Sequence, residues 1–172
     1  FTINAIYTDR DGQLYDPVGG LDDLDLGCVR FIGDPKERIR EDVLRILRFF
    51  RFTAWYGRAA PDTAGALACA QAADQIRNLS GERISAELRR LLAAPNPYQV
   101  ALAMEEHGVL RALTSIKLAP RGLSRLVVME QAYNLEPSPL ARLAVFLPGD
   151  AAAYEALAER LRFSKVEHKR LV

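Results

Sequence analysis

Two rhythms of apolar and polar positions run along this chain, one after the other. Near the start, two short half-apolar runs at residues 5–8 and 13–15 flank Asp9-Arg10-Asp11-Gly12, which predicts a hairpin turned by Asp-Gly. The run at residues 29–32 predicts a further strand. From Pro35 the rhythm turns helical. Ile39, Val43, Ile46, Leu47, Phe50 and Ala54 share one stripe at about 3.6 residues per turn. One helix is therefore expected over residues 37–56, stopped by Gly57 and Pro61. An alanine-rich helix should follow from Asp62-Thr63 to Arg77, and Ser80 should cap another that ends near Pro95. Shorter helices fit residues 97–106, 123–133, 139–147 and 151–161. The expected fold class is mainly α, with a small β-containing start followed by an all-helical remainder.

The polar side of the residue 37–56 helix carries the most distinctive chemistry. Arg38, Glu41, Asp42, Arg45 and Arg48 fall opposite the apolar stripe, with Arg51 at its edge. Asp42 and Arg45 are three apart, so a helix would make their side chains neighbours. A carboxylate only accepts and a guanidinium only donates, the latter as a planar fork. Side by side they complement the pairing edges of cytosine and adenine, which place an amino donor beside a ring acceptor. Uracil and guanine present the reverse order, and a site built for one pattern rejects the other strongly. Arg48 and Arg51, further along, would then meet phosphates. The competing reading is an ordinary solvated face, held by pairs such as Glu41–Arg45.

Composition and charge add bounds. The chain has 172 residues and 49% hydrophobic content, room for one sizeable domain or two small ones. No apolar run approaches a membrane span, because Arg45, Arg48 and Arg51 cut the longest candidates. Cys28 and Cys69 have no C-x-x-C spacing, which suits a reducing cytoplasm and argues against zinc. His107 and His168 are isolated and expected near helix ends. The net charge of +1 is uneven: residues 1–30 balance at −4 and residues 36–58 at +4. Arg160, Arg162, Lys165, Lys169 and Arg170 form a second basic group, expected to be mainly a solvated helix face.

The order of motifs is recognisable. Phe1-Thr2-Ile3-Asn4-Ala5-Ile6 is followed by Asp16-Pro17-Val18-Gly19-Gly20-Leu21-Asp22-Asp23-Leu24, then Val29-Arg30-Phe31-Ile32-Gly33-Asp34-Pro35. After the arginine-rich stretch comes Gly81-Glu82-Arg83-Ile84-Ser85-Ala86-Glu87-Leu88. In order and spacing these resemble the later motifs of the bacterial tRNA nucleotidyltransferase and poly(A) polymerase family, in the class that contains the bacterial CCA-adding enzymes. The match is dense in the first half and thins beyond about Pro95.

The resemblance implies roles. Asp42 and Arg45 match the amino-acid template that reads incoming CTP or ATP, and Arg48 and Arg51 match positions that contact the nucleotide. Asn4 belongs to a motif lining the nucleotide pocket, and Glu41 supports the template. Gly19-Gly20 match a hinge-like turn between a catalytic head and a helical neck. Glu82, Arg83 and Glu87 match a motif that braces the neck, where Arg83–Glu87 reads as an i,i+4 pair. The family's D-x-D pair, which holds Mg²⁺, and its Arg-Arg-Asp would lie upstream of Phe1. No catalytic residue and no metal ligand is therefore expected here; Asp22-Asp23-Leu24-Asp25 matches a structural element. The division expected is a head remnant (residues 1–34), a neck carrying the template (35–95) and a helical body that begins an RNA-binding region (96–172). The implied activity of the parent is addition of C and A to the 3′ end of tRNA. A poly(A) polymerase and a non-catalytic RNA-binding helical module are the alternatives.

Overall fold

The computed structural model describes residues 1–114, 117–147 and 151–171. Its only sheet among the described residues is the predicted hairpin. Strands β1 (Tyr7–Thr8) and β2 (Leu14–Tyr15) pair antiparallel, Tyr7 opposite Tyr15 and Thr8 opposite Leu14. The Asp9 carboxylate closes the turn by accepting from the amides of Asp11 (3.0 Å) and Gln13 (2.8 Å). The strand expected at residues 29–32 does not form. Val29 and Phe31 are buried and Arg30 is exposed, so the in-and-out alternation is real. No neighbouring strand completes a ladder there; Thr2 N donates to Arg30 O at 3.0 Å instead.

The remainder is helical: α1 (Gly20–Leu26), α2 (Pro35–Glu41), α3 (Arg45–Tyr56), α4 (Thr63–Ala72), α5 (Gly81–Leu92), α6 (Tyr98–Glu106), α7 (Val109–Leu113), α8 (Leu123–Ala132), α9 (Pro139–Ala144), α10 (Ala151–Arg160) and α11 (Lys165–Leu171). The alanine-rich helix tightens to 3₁₀ geometry over Ala73–Asn78 rather than running as α-helix to Arg77. The short α7 and α11 have no counterpart in the sequence reading. Ser80 caps α5 as expected, accepting from Arg83 N.

The chief correction concerns the long helix. Residues 37–56 do not form one helix: α2 ends at Glu41 and α3 begins at Arg45, with Asp42 between them in an extended conformation (φ −151°, ψ 106°). Asp42 starts the new helix itself. Its carboxylate accepts from Leu44 N at 3.1 Å, and its carbonyl from Arg45 N at 3.0 Å. The apolar stripe survives the break, with Ile39, Ile46, Leu47 and Phe50 all buried. Phe49 joins them and stacks on Phe31 at 5.4 Å between centroids.

One apolar core runs from Val29 to Leu161, with α3 packed on α5, α2 on α4 and α9 on α5. A buried ion pair fastens the later helices to it. Arg142, on α9 and 1% exposed, donates through Nε to Glu130 of α8 at 2.7 Å. Its Nη1 donates to the carbonyls of Leu92 and Ala94, both at 2.6 Å. These oxygens belong to the C-terminal end of α5, whose last carbonyls lack helical partners. Arg160 has the same kind of task. Rather than facing solvent, it donates to the carbonyls of Leu79 (3.2 Å) and Arg77 (3.3 Å) below the 3₁₀ turn. On α11, Glu167 bonds Arg89 of α5, and that bond holds its carboxyl down to about 2. Lys165, Lys169 and Arg170 are exposed, as expected.

Removing one member of a buried ion pair leaves the other uncompensated, at a cost of about 3–5 kcal/mol. Arg142→Met should therefore destabilise the protein by that amount in a urea titration. The double variant Arg142→Met with Glu130→Leu should recover part of it.

Candidate functional site

A cleft of about 280 Å³ opens between the N-terminal segment, α2, α3 and α5. Its apolar floor is aromatic. Phe1 meets Phe31 at 4.8 Å and Phe52 at 5.3 Å between centroids, which seats the first residues on α3. Asn4 lines the cleft beside them and is exposed. The polar walls carry Arg38, Arg45, Arg48, Arg51 and Arg90 around a single acid, Glu87. This is an anion-binding composition.

Glu87 organises the arginines. It is 4% exposed, with Oε2 accepting from Arg51 Nε at 2.6 Å. Its Oε1 lies 3.5 Å from Arg48 Nε and 3.8 Å from Arg90 Nη1. Arg51 also lies over Phe52, 4.1 Å from the ring centre. The expected i,i+4 pair between Arg83 and Glu87 is absent. Arg83 reaches the other way and donates to Asp42 at 2.9 Å, an ion pair across 41 positions of sequence. Glu87 thus braces α3, and Arg83 the segment just before it. Glu82, exposed on the first turn of α5, reaches neither; bonding at its own backbone nitrogen, then Ser80, lowers its pKa.

Asp42 and Arg45 sit on either side of the helix start, not on one helical face. Each is engaged by the protein. Asp42, its side chain 27% exposed, has Oδ1 on Leu44 N and Arg83, while its Oδ2 lies 4.0 Å from Arg48. Arg45 donates to Glu41 at 2.5 Å and to the carbonyl of Arg38 at 2.6 Å. That hydrogen bond from Arg45 is the main cause of the lowered pKa of Glu41. The interruption between α2 and α3 therefore sets Asp42 just before the helix and Arg45 at its first position in the cleft wall, each engaged by another side chain. Arg38 and Arg90 are cleft residues that the sequence reading gave no role. For Arg90 a signal existed: it follows Glu87 by three positions on one helix.

Gly19 and Gly20 stand at the start of α1. Gly19 has φ +73°, and a Cβ on Gly20 would meet the Thr2 carbonyl oxygen at 2.3 Å. The turn is tied by Asp16, which accepts from Gly20 N (2.8 Å) and Leu21 N (2.9 Å). Leu21 and then Gly20 hold the Asp16 carboxyl below its usual range. Asp23 of the neighbouring acidic run is buried on Thr2 (2.7 Å) and Arg30 (2.8 Å). Among the described residues, no group of three or more His, Cys, Asp or Glu side chains could hold a metal ion. No helix among them is long and apolar enough to cross a membrane.

Known proteins share this architecture. A family model described as the probable RNA and SrmB-binding site of polymerase A matches residues 60–116. The mitochondrial CCA tRNA nucleotidyltransferase 1 of Danio rerio is 35% identical over 173 residues, covering 96% of this chain. Over nearly its whole length the chain is thus similar to one part of a CCA-adding enzyme. In fold, it superposes on the Thermotoga maritima CCA-adding enzyme complexed with tRNA with a TM-score of 0.75 at 24% identity, over 99% of this chain and 45% of that one. A CCA-adding enzyme in complex with CTP matches with a TM-score of 0.73, also at 24% identity, over 99% and 44%. The chain spans 38% of the length of the Danio rerio relative.

Glu87 and Arg83 are separable in stability. Glu87→Ala strands the arginines around a buried position and should cost about 3 kcal/mol in urea unfolding. Arg83→Ala removes a half-exposed pair and should cost at most about 1 kcal/mol.

Proposed function

We propose that this chain is the nucleotide-reading and RNA-holding part of a template-independent RNA nucleotidyltransferase, which adds C and A to the 3′ end of tRNA. The observation that supports the reading is the arginine-lined, aromatic-floored cleft, with Arg45 in its wall and Asp42 three residues earlier, just before α3. Asp42 accepts from the exocyclic amino group of cytosine or adenine, and Arg45 donates to the adjoining ring acceptor. Arg48 and Arg51 line the wall where the phosphates lie. Asn4 borders the base, and Glu41 holds Arg45 in position. Glu82, Arg83 and Glu87 belong to the bracing motif of the neck, and Gly19-Gly20 form the hinge towards the catalytic head.

This cleft binds and selects; bond formation falls to the head. Transfer of a nucleotidyl group to a hydroxyl uses metal ions to neutralise the triphosphate and activate the attacking oxygen. We assign that task to Mg²⁺ held by the head's carboxylates rather than by residues of this chain. The residues of this chain orient the base, counter the phosphate charge and present the arginine wall. Residues 1–34 complete the head, 35–95 form the neck and 96–172 begin the RNA-binding body. The unpaired Cys28 and Cys69 fit a reducing, cytoplasmic setting.

The test is selectivity. In the full-length protein, Asp42→Ala should lower the preference for CTP and ATP over UTP and GTP by about 10-fold or more, since the mismatched edges no longer face a carboxylate. Incorporation of each triphosphate opposite its competitor gives the ratio. Unchanged ratios with a folded variant would refute the template role.

A further inference from the structure

We propose that Arg90 is a phosphate-binding side chain of this cleft, acting beside Arg48; the proposal rests on the nucleotide-binding reading above and extends it to a residue outside the recognised motifs. The charges of the cleft are incompletely neutralised. Among the described residues, the acids paired with Arg38, Arg45, Arg48, Arg51, Arg83 and Arg90 are Glu41, Asp42 and Glu87. Three positive charges are left over. The carboxylates are not shared evenly. Glu41 holds Arg38 at 2.7 Å and Arg45 at 2.5 Å, Asp42 holds Arg83 at 2.9 Å, and Glu87 holds Arg51 at 2.6 Å.

Two guanidiniums remain with only loose partners. Arg48 lies 3.5 Å from Glu87 and 4.0 Å from Asp42, and its side chain is 42% exposed. Arg90 has Glu87 at 3.8 Å, and its side chain is 66% exposed. Both line the cleft, Arg48 from α3 and Arg90 from α5. The backbone of Arg90 is further held by Trp55 Nε1, which donates to the Arg90 carbonyl at 2.7 Å, while its guanidinium, mostly exposed, has only the long contact to Glu87. A guanidinium fork so placed can take a phosphate as a second, bidentate partner. The phosphates belong either to the incoming triphosphate or to the RNA backbone next to the 3′ end.

The experiment compares Arg90→Ala and Arg90→Lys in the full-length protein, using tRNA lacking its 3′ end as primer. Arg90→Ala should raise one KM by about 10-fold, the loss of one charge-assisted contact of about 1.4 kcal/mol, and Arg90→Lys should recover part of it. A rise for CTP and ATP alone assigns Arg90 to the triphosphate; a rise for tRNA alone assigns it to the RNA backbone. In the latter case the log–log salt slope for RNA binding should also fall by about 0.7–0.9. Urea unfolding should be unchanged, which separates the role from a structural one. Both KM values within twofold of wild type would overturn the proposal while leaving the nucleotide-binding reading intact. If the wild-type protein incorporates nothing, that reading fails, and calorimetry with inorganic tripolyphosphate decides on Arg90 alone. Weaker binding by Arg90→Ala than by wild type supports an anion site there; equal binding, or none by wild type, overturns it.

Discussion

A carboxylate at a nearly dry position holds the cleft together. A carboxylate buried this deeply requires cations beside it, and those beside Glu87 are Arg48 and Arg51 of α3 and Arg90 of α5. This requirement fixes α3 against α5 at one register. Once that register is set, Arg48 and Arg51 face the cleft together, Phe49 and Phe50 turn inward, and Phe52 contributes to the floor. Arg83, one turn before Glu87, reaches the start of the same helix and holds Asp42. The two residues together clamp α3 and the segment that enters it, Glu87 at a buried point and Arg83 at a partly exposed one.

The remaining helices keep α5 in place. Its C-terminal carbonyls are taken by Arg142, whose charge is met by Glu130, so α8 and α9 are tied to the element that carries Glu87. From the far side, Arg89 bonds Glu167 and lies 4.8 Å from the Phe163 ring centre, which seats α11. Satisfied polar networks of this kind rigidify their surroundings. A cleft lined by arginines repels itself when empty, and a rigid support resists its collapse or spread. In this protein the support is polar as much as apolar.

Much of this was legible in the sequence, and what was missed has physical causes. The hairpin, the cap at Ser80 and the apolar stripe are local patterns, and they are all present. The break at Asp42 was not legible, since no Gly or Pro marks it. It depends on a carboxylate that caps Leu44 N while an arginine 41 positions away draws on the same oxygen. Helical spacing therefore put Asp42 and Arg45 on one helical face, where the fold sets them on either side of a helix start. The segment Val29–Ile32 alternates like a strand but finds no strand to pair with, and pairing is not encoded locally. Arg83 and Glu87 fit an i,i+4 pair by spacing, yet each has a better partner across the fold. Arg160, read as solvated, serves carbonyls that only the tertiary fold brings near it.

As proposed, the clamped cleft selects C and A for the end of an RNA. The most direct measurement incubates the full-length protein with tRNA lacking its 3′ end, all four nucleoside triphosphates and Mg²⁺, and sequences what is added. A terminal C-C-A is the expected product. A run of A would move the activity to a poly(A) polymerase, and no addition by folded protein would contradict the account.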